Sequence, residues 1–239
     1  MAGFAQIRSG PESWSPNQSI PRHYHDRAYI AIVLSGSYEE CGSCGRSRVG
    51  PGDALLHHAF DGHLDRFQHK GARILNLVVA GFEANFSIGH VDDVDAVARA
   101  AEGDPAETRM LLCNQLRETK RVPEDWPDIL ARDLLRNPDY RLDIWAEDHD
   151  LAVETVSRGF GKVFGVTPAA FRLEVRTRRA LALMIGSDAT LASIAATAGF
   201  ADQAHMSRAT RTLTGLPPGS WRRSNSFKTV EAKPISFGE

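Results

Sequence analysis

The stretch SRGFGKVFGVTPAAFR, residues 157–172, returns later in the chain as SRATRTLTGLPPGSWR, residues 207–222. Both copies read S-R-x6-G-x2-P-x2-aromatic-R, and matching positions are separated by a constant offset of 50 residues. A motif that repeats in register indicates one structural unit used twice. We therefore expect the second half of the chain to contain two equivalent parts.

Each copy has the periodicity of a helix with one buried and one exposed face. The buried stripe consists of Val156, Phe160, Val163 and Phe164 in the first copy and of Met206, Ala209, Thr210 and Leu213 in the second. The opposite face carries Glu154, Ser157, Arg158 and Lys162, and in the second copy Gln203, Ala204, Ser207, Arg208 and Arg211. Gly215 is expected to end the second helix, with Pro218 beyond it as a stop.

A short Ala-rich helix is predicted upstream of the second copy, in TLASIAATAGF at residues 190–200, with Thr190 as its N-cap. A short helix, a turn containing Gly and a second helix with an exposed Arg form the helix-turn-helix pattern. The run SIAATAGFADQAHMSRA, followed by Gly215, Pro218 and Trp221-Arg222, closely resembles the C-terminal half of AraC-type transcriptional regulators. Regulators of this family carry two such units joined by a long helix.

The resemblance implies that two recognition helices enter successive major-groove segments of double-stranded DNA, about 34 Å apart. Arg158 and Arg208 match the recognition-helix arginines of the family, and such arginines read guanine, whereas Gln203 can pair with adenine. Lys162 and Arg211 are expected to contact phosphates. As an alternative, either of the two arginines could bridge to a nearby acid. The family also implies RNA polymerase and a second copy of the chain as partners.

The charge distribution agrees with the motif. The net charge is −2, but residues 151–224 hold ten Arg and Lys against four acids, and residues 124–150 hold three against nine. A positive segment attracts phosphates, although a basic run on its own can be only a solvated face. With 24% charged and 42% hydrophobic residues the composition is that of an ordinary globular protein.

The sequence contains neither an apolar run of about 20 residues nor a basic patch that leads into an apolar segment. We therefore expect a cytoplasmic protein without a membrane span. Its three cysteines argue against a disulfide scaffold. Cys41 and Cys44 lie in EECGSCGRS, which is read as a hairpin tip in preference to a redox pair.

The first half has a different texture. Residues 1–20 are polar and contain Pro11 and Pro16, which predicts a flexible arm. From residue 21 onward, short apolar runs such as AYIAIVLSG and RILNLVVAG alternate with glycines and predict the strands of a small barrel. The expected fold class is α+β, a cupin-like β-barrel followed by an all-α domain of two helix-turn-helix units joined by a long helix.

The predicted domains are the arm at 1–20, a cupin-like sensor domain at 21–88, a helical linker with a candidate dimerisation role at 89–122, the double helix-turn-helix domain at 123–223 and a flexible tail at 224–239. Within the DNA-binding half, helices are predicted at 126–136, 140–147, 153–164 and 174–185. Asp150 stands where the family has a turn Gly, and Ala152 where it has a Ser N-cap, so the first unit is expected to be slightly weaker. Thr210 replaces the usual Phe.

His23 and His25 are two residues apart, so on a strand they point the same way, and His63 follows a later strand. This order resembles the cupin barrel that many AraC-type regulators use as a sensor, over residues 21–80. Tyr29 occupies the position of the Glu in metal-binding cupins, so the usual ligand set is incomplete. The three histidines with Tyr29 therefore either hold a divalent ion such as Zn²⁺ or line an organic effector pocket. Of the neighbours His57 and His58, at most one can join it.

These features predict a DNA-binding regulator controlled by a small-molecule or metal effector in the barrel, and not an enzyme. One alternative is a metal-dependent cupin enzyme with an accessory helical domain, against which the residue at position 29 argues. Another is a constitutive DNA-binding protein whose barrel only dimerises.

Overall fold

The structure is a computed structural model, and it describes residues 3–43, 45–78, 87–119 and 125–225. The chain divides into two compact units near residue 125. In the described part of the chain, no helix is both long and apolar enough to cross a membrane.

The first unit is built on one sheet of nine described strands. They are β1 (Gly3–Phe4), β2 (Gly10–Trp14), β3 (Ser19–Tyr24), β4 (Tyr29–Gly42), β5 (Gly45–Val49), β6 (Asp53–His57), β7 (His63–Val78), β8 (Ile88–Val91) and β9 (Leu116–Glu118). The order is β1-β3-β7-β4-β6-β8-β9, with β2 paired to β7 and β5 paired to β4. All described pairings are antiparallel except the short one between β1 and β3.

The long strands β4 and β7 pair along most of their length, and their register shifts near Gly36. Gly36 has a φ of +75°, and a Cβ there would lie 2.1 Å from the backbone oxygen of Gly71, so no larger residue fits. Because side chains alternate along β4, Tyr29 and Val33 join one apolar cluster while Ile30 joins another. The second cluster also contains residues of helices α1 (Val94–Ala101) and α2 (Pro105–Gln115).

One prediction about this unit is wrong and another is incomplete. In place of a flexible arm over residues 1–20, β2 pairs with β7 over five residues, and the ring of Trp14 stacks on Phe67 with centroids 5.3 Å apart. The predicted helical linker at 89–122 also holds strands, since β8 pairs with both β6 and β9. Its two helices lie where expected, and each begins at an Asp that accepts backbone N–H groups, Asp93 and Asp104.

The second unit is all-helical. Its helices are α3 (Trp126–Arg136), α4 (Leu142–Asp148), α5 (Val153–Phe164), α6 (Pro168–Gly186), α7 (Leu191–Thr197), α8 (Gln203–Thr214) and α9 (Pro218–Asn225). Helices α4 and α5 form one helix-turn-helix, α7 and α8 form a second, and α6 joins them. The predicted fold class, a β domain followed by an all-α domain of two helix-turn-helix units, is confirmed.

The repeated Gly and Pro of the signature mark helix boundaries. Gly165 and Gly215 end α5 and α8 in the left-handed conformation, with φ of 70° and 75°. We predicted that Pro218 stops a helix, and this is wrong. Pro168 and Pro218 are the first residues of α6 and α9. Proline suits this place because its missing N–H would have no partner in the first turn. The joining helix α6 therefore starts at Pro168, six residues before the predicted start.

The turn of the first helix-turn-helix, between α4 and α5, accommodates the two residues that differ from the AraC-type pattern. Asp150 adopts the left-handed conformation with a φ of 54°, as expected for a short polar residue in place of Gly. Ala152 at the N-cap of α5 provides no side-chain hydrogen bond, whereas Asp202 at the N-cap of α8 accepts the backbone N–H of His205 at 2.6 Å. The predicted tail at 224–239 lies outside the described residues from 226 onward, as do residues 121–124 of the predicted boundary.

Candidate functional site

The outer faces of α5 and α8 present the residues predicted to contact DNA. Val156, Phe160 and Phe164 of α5 are buried, and so are Met206, Ala209, Thr210 and Leu213 of α8. The exposed residues are Glu154, Arg158, Lys162, Gln203, Ala204, Arg208 and Arg211, and Ser157 and Ser207 are half-buried beside them. All nine predicted residues therefore lie on the two outward faces, and three pairs occupy equivalent positions of the repeat, namely Glu154 and Ala204, Ser157 and Ser207, and Arg158 and Arg208.

Arg158 and Arg208 are each the sixth residue of their helix. The Nε of Arg158 donates to the backbone oxygen of Glu154 in the preceding turn at 3.3 Å. Within the described chain, neither arginine forms an ion pair with an acid, so the alternative of a bridge to a nearby carboxylate finds no support there. Both guanidinium groups remain available to a partner.

Other arginines of the basic segment are used inside the fold. Arg176 donates to the backbone oxygen of Pro138 at 3.2 Å and also binds Asp139, and Arg179 donates to the oxygens of Leu135 and Arg136 at 2.6 and 2.9 Å. The Arg179 contacts cap the C-terminal end of α3, where a positive charge is favourable, and Arg176 binds the loop that follows it. The positive charge of residues 151–224 is therefore only partly available to phosphates, and sequence counting could not separate the two uses.

The signature arginines at the end of each repeat are also structural. Arg172 donates to the backbone oxygen of Tyr140, and Arg222 donates to that of Ala189. Tyr140 directly precedes the N-cap residue of α4, and Ala189 directly precedes that of α7. The motif thus ties the start of each helix-turn-helix to the helix that follows it.

The first unit encloses a cavity of about 330 Å³. The predicted effector or metal residues His23, His25, Tyr29 and His63 all line it and are all buried. His57 joins them, whereas its neighbour His58 is exposed, in line with the prediction that at most one of the two could take part. Apolar side chains such as Trp14, Phe67 and Ile74 cover another part of the wall.

The histidine rings contact one another closely. Ring centroids are 4.2 Å apart for His23 and His63 and 4.6 Å apart for His57 and His63. The Nδ1 atoms of His23 and His25 lie 3.0 and 2.8 Å from the backbone oxygens of Pro21 and Ala5, so each donates from Nδ1 and leaves Nε2 as an acceptor. His23, His25 and His63 each offer one nitrogen as a ligand atom, and these three atoms lie within 4.8 Å of one another.

Sequence reasoning missed two buried carboxylates in the same cavity. Glu40 and Asp65 face each other on β4 and β7, and both line the cavity. The Nε2 of His57 is 3.4 Å from Oε2 of Glu40, and the Nε2 of His63 is 3.9 Å from Oδ2 of Asp65. The motif position at Tyr29 does lack a carboxylate, but the site does not. The sequence signal that could have found Glu40 is the alternation of side chains along a strand, which places Glu40 on the same face as Tyr38.

Burial controls protonation in this cluster. Desolvation lowers the pKa of His23 to about 4 and that of His57 to about 3, and it also lowers the pKa of His25 and, well below the usual value, that of His63. The imidazoles are therefore neutral near pH 7, the form that binds metals. The same desolvation raises the pKa of Asp65 to about 8.

Cys41 is a buried thiol whose pKa is raised to about 12, chiefly by desolvation. Its Sγ lies 3.3 Å from Nη1 of Arg66. A protonated, buried thiol is a poor nucleophile. Cys44, the other half of the predicted redox alternative, lies outside the described residues.

Comparison with known proteins places the helical unit in a family. Residues 145–224 match the family described as "Helix-turn-helix domain". The chain is 29% identical over 85 residues to the HTH-type transcriptional regulator ExsA of Pseudomonas aeruginosa, a match that covers 36% of this chain but spans only 31% of that protein.

Two solved structures overlay on the chain with TM-scores of 0.38 and 0.40. The C-terminal domain of AraT, a response regulator from Geobacillus stearothermophilus, is 20% identical, with a TM-score of 0.38 over 41% of this chain and 84% of that one. ToxT from Vibrio cholerae is 10% identical, with a TM-score of 0.40 over 90% of this chain and 98% of that one. The family match and the repeated signature carry the assignment. Residues 145–224 thus match a helix-turn-helix family and resemble the DNA-binding domain of AraC-type transcriptional regulators.

Proposed function

We propose that the chain regulates transcription by reading DNA with α5 and α8 in two successive major-groove segments, under the control of an effector in the cavity of the first unit. The observation that carries the DNA part is the equivalent placement of Arg158 and Arg208 on exposed faces. A guanidinium that forms no ion pair at such a place can bind the O6 and N7 atoms of guanine.

The division of roles follows from side-chain chemistry. Gln203 in the first turn of α8 can pair with adenine, while Lys162 and Arg211 near the ends of their helices are suited to phosphates. Glu154 and the serines at 157 and 207 complete the two faces. This regulator would act in the cytoplasm, where it would bind DNA, RNA polymerase and a second copy of itself. Met110 on α2, 54% exposed, is a candidate dimer contact.

The effector part rests on the cavity. A space of about 330 Å³ lies within the usual size range of small-molecule sites. One part of its wall is apolar and another is built from neutral histidines and the carboxyl groups of Glu40 and Asp65, so it suits a compact ligand with one apolar and one polar end, or a metal ion. An effector that binds only one state of the chain would shift the population of the DNA-binding state.

The test is DNA binding by the purified full chain carrying Arg158→Ala together with Arg208→Ala. The matched control is Arg109→Ala, which removes one exposed arginine from α2 of the other unit. On fragments selected from genomic DNA, the double variant should lose most of its preference over random DNA, and the control should keep it. An unchanged preference in the double variant would refute the base-reading role of these arginines.

A further inference from the structure

The cavity contains a second set of ligand atoms beside the predicted histidine triad. Glu40, His57 and His63 each offer one atom, and these atoms lie within 4.8 Å of one another. The three residues come from β4, β6 and β7, so the strand pairing of the sheet fixes their spacing. All three are buried, with between 3% and 7% of their surface exposed.

His57 is held in place but its ring is not satisfied. The ring stacks on Tyr29, with centroids 4.3 Å apart and planes at 11°. Its Nε2 atom is fully buried and lies 3.4 Å from Oε2 of Glu40, but it makes no hydrogen bond in the described part of the chain. A buried polar atom without a partner is costly, so a bound group that supplies one is favoured.

The same three residues also line a smaller cavity of about 30 Å³. A space of this size holds one water molecule or one ion. Glu40, His57 and His63 therefore form a wall shared by this small cavity and the large one. A ligand bound to them would have access to both.

We propose that Glu40, His57 and His63 bind one divalent ion of the late first-row transition metals, with an open coordination position towards the large cavity. Two neutral imidazoles and one carboxylate match the ligand preference of Zn²⁺ and Co²⁺, whereas Mg²⁺ and Ca²⁺ prefer oxygen alone. Glu40 also offers a carboxylate oxygen, a type of ligand that the triad His23, His25 and His63 lacks. A role of this ion as the effector rests on the proposed function. The binding of the ion to the three residues does not depend on that function.

The first test is a titration of the chelator-treated full chain with Zn²⁺ in competition with a chromophoric chelator. The wild-type chain should bind one equivalent of Zn²⁺ and no Mg²⁺. Glu40→Gln and His57→Gln should each weaken Zn²⁺ binding by about 100-fold or more, beyond the loss typical of an outer-sphere partner. The matched control His25→Gln removes a histidine of the other triad and should retain the ion. Loss in the control with retention in Glu40→Gln would overturn the assignment.

A second measurement needs no variant and so does not depend on how well variants fold. X-ray absorption of the Co²⁺-loaded wild-type chain should show two imidazole ligands, and three would place the ion at the other triad and refute the proposal. DNA binding is measured on the same preparations. Wild-type protein that binds DNA but not Zn²⁺ refutes the metal site alone, and protein that binds Zn²⁺ but never DNA supports the metal site while refuting the proposed function.

Discussion

Arg172 donates a hydrogen bond from Nη1 to the backbone oxygen of Tyr140, 3.2 Å away and 32 residues earlier in the chain. The equivalent arginine of the second repeat, Arg222, makes the same connection to Ala189. The last Arg of the signature is therefore a structural tie that closes each helix-turn-helix, and the arginines proposed to read DNA stand at the second position of the motif.

Replacing this tie should weaken the helical unit. Arg172→Ala leaves the Tyr140 oxygen without its partner, and we expect a loss of about 1 to 2 kcal/mol in the free energy of unfolding, moderated because the side chain is partly exposed. Denaturant unfolding followed by far-ultraviolet circular dichroism measures the loss. Arg211→Ala, on an exposed face, should stay within about 0.5 kcal/mol of wild type. Equal values for the two variants would contradict the structural role.

Gly159 is required by packing. A Cβ at this position of α5 would lie 2.6 Å from Cζ2 of Trp126, so Gly159→Ala should destabilise the unit by about 1 to 3 kcal/mol despite the better helix propensity of Ala. Gly161, two residues later, is the matched control, because its Cβ would lie at an ordinary contact distance of 3.8 Å from the backbone oxygen of Val166. Gly161→Ala should stabilise by about 0.5 to 1 kcal/mol. Thermal unfolding of both variants decides whether their signs differ.

Thr210 is fully buried, and its Oγ1 has no hydrogen-bond partner in the described part of the chain. Thr210→Val removes an unsatisfied hydroxyl at constant shape and should raise stability by about 1 kcal/mol. Thr177 is equally buried, but its hydroxyl donates to the backbone oxygen of Leu173 at 2.7 Å. Thr177→Val should therefore gain less than Thr210→Val in the same unfolding experiment, and the reverse order would show that Thr210 is satisfied.

Phosphate and base contacts should separate by salt dependence. Arg211→Ala should reduce the slope of log affinity against log salt by about 1 while leaving the preference for the selected site unchanged. Arg208→Ala should instead lose about 1 to 3 kcal/mol of discrimination at one base pair. Fluorescence anisotropy at several salt concentrations, on the selected site and on variants of it, measures both quantities. If the two variants lose equally on specific and random DNA, the assigned roles are wrong.

The repeat made the helical unit readable from sequence. The bounds predicted for α5, residues 153–164, are those of the structure, because the periodicity and the terminal Gly165 both act within one helix. The misreading of Pro218 has a local cause as well. A proline after a helix suits either a stop or the first residue of the next helix, and only the chain that follows decides between them.

Only part of the cavity lining could be predicted from the sequence, for a different physical reason. His23 and His25 share a face by simple alternation, but Glu40 is paired across the sheet with Asp65, 25 residues later, and its side chain meets that of His57, 17 residues later. The polar texture around Glu40 is that of an exposed hairpin, and its burial depends on this long-range pairing. Likewise, the partner that orders Trp14 in β2 is Phe67, which lies far along the chain.

If the proposed function is right, one chain reads two neighbouring DNA segments with two equivalent helices. This can be tested by selection of fragmented genomic DNA by the purified full chain at physiological salt, with and without Zn²⁺, followed by sequencing of the bound fraction. We expect an enriched motif of two short blocks whose centres lie about 10 base pairs apart, one turn of the duplex. Binding that is sensitive to salt but blind to sequence under both conditions would contradict it.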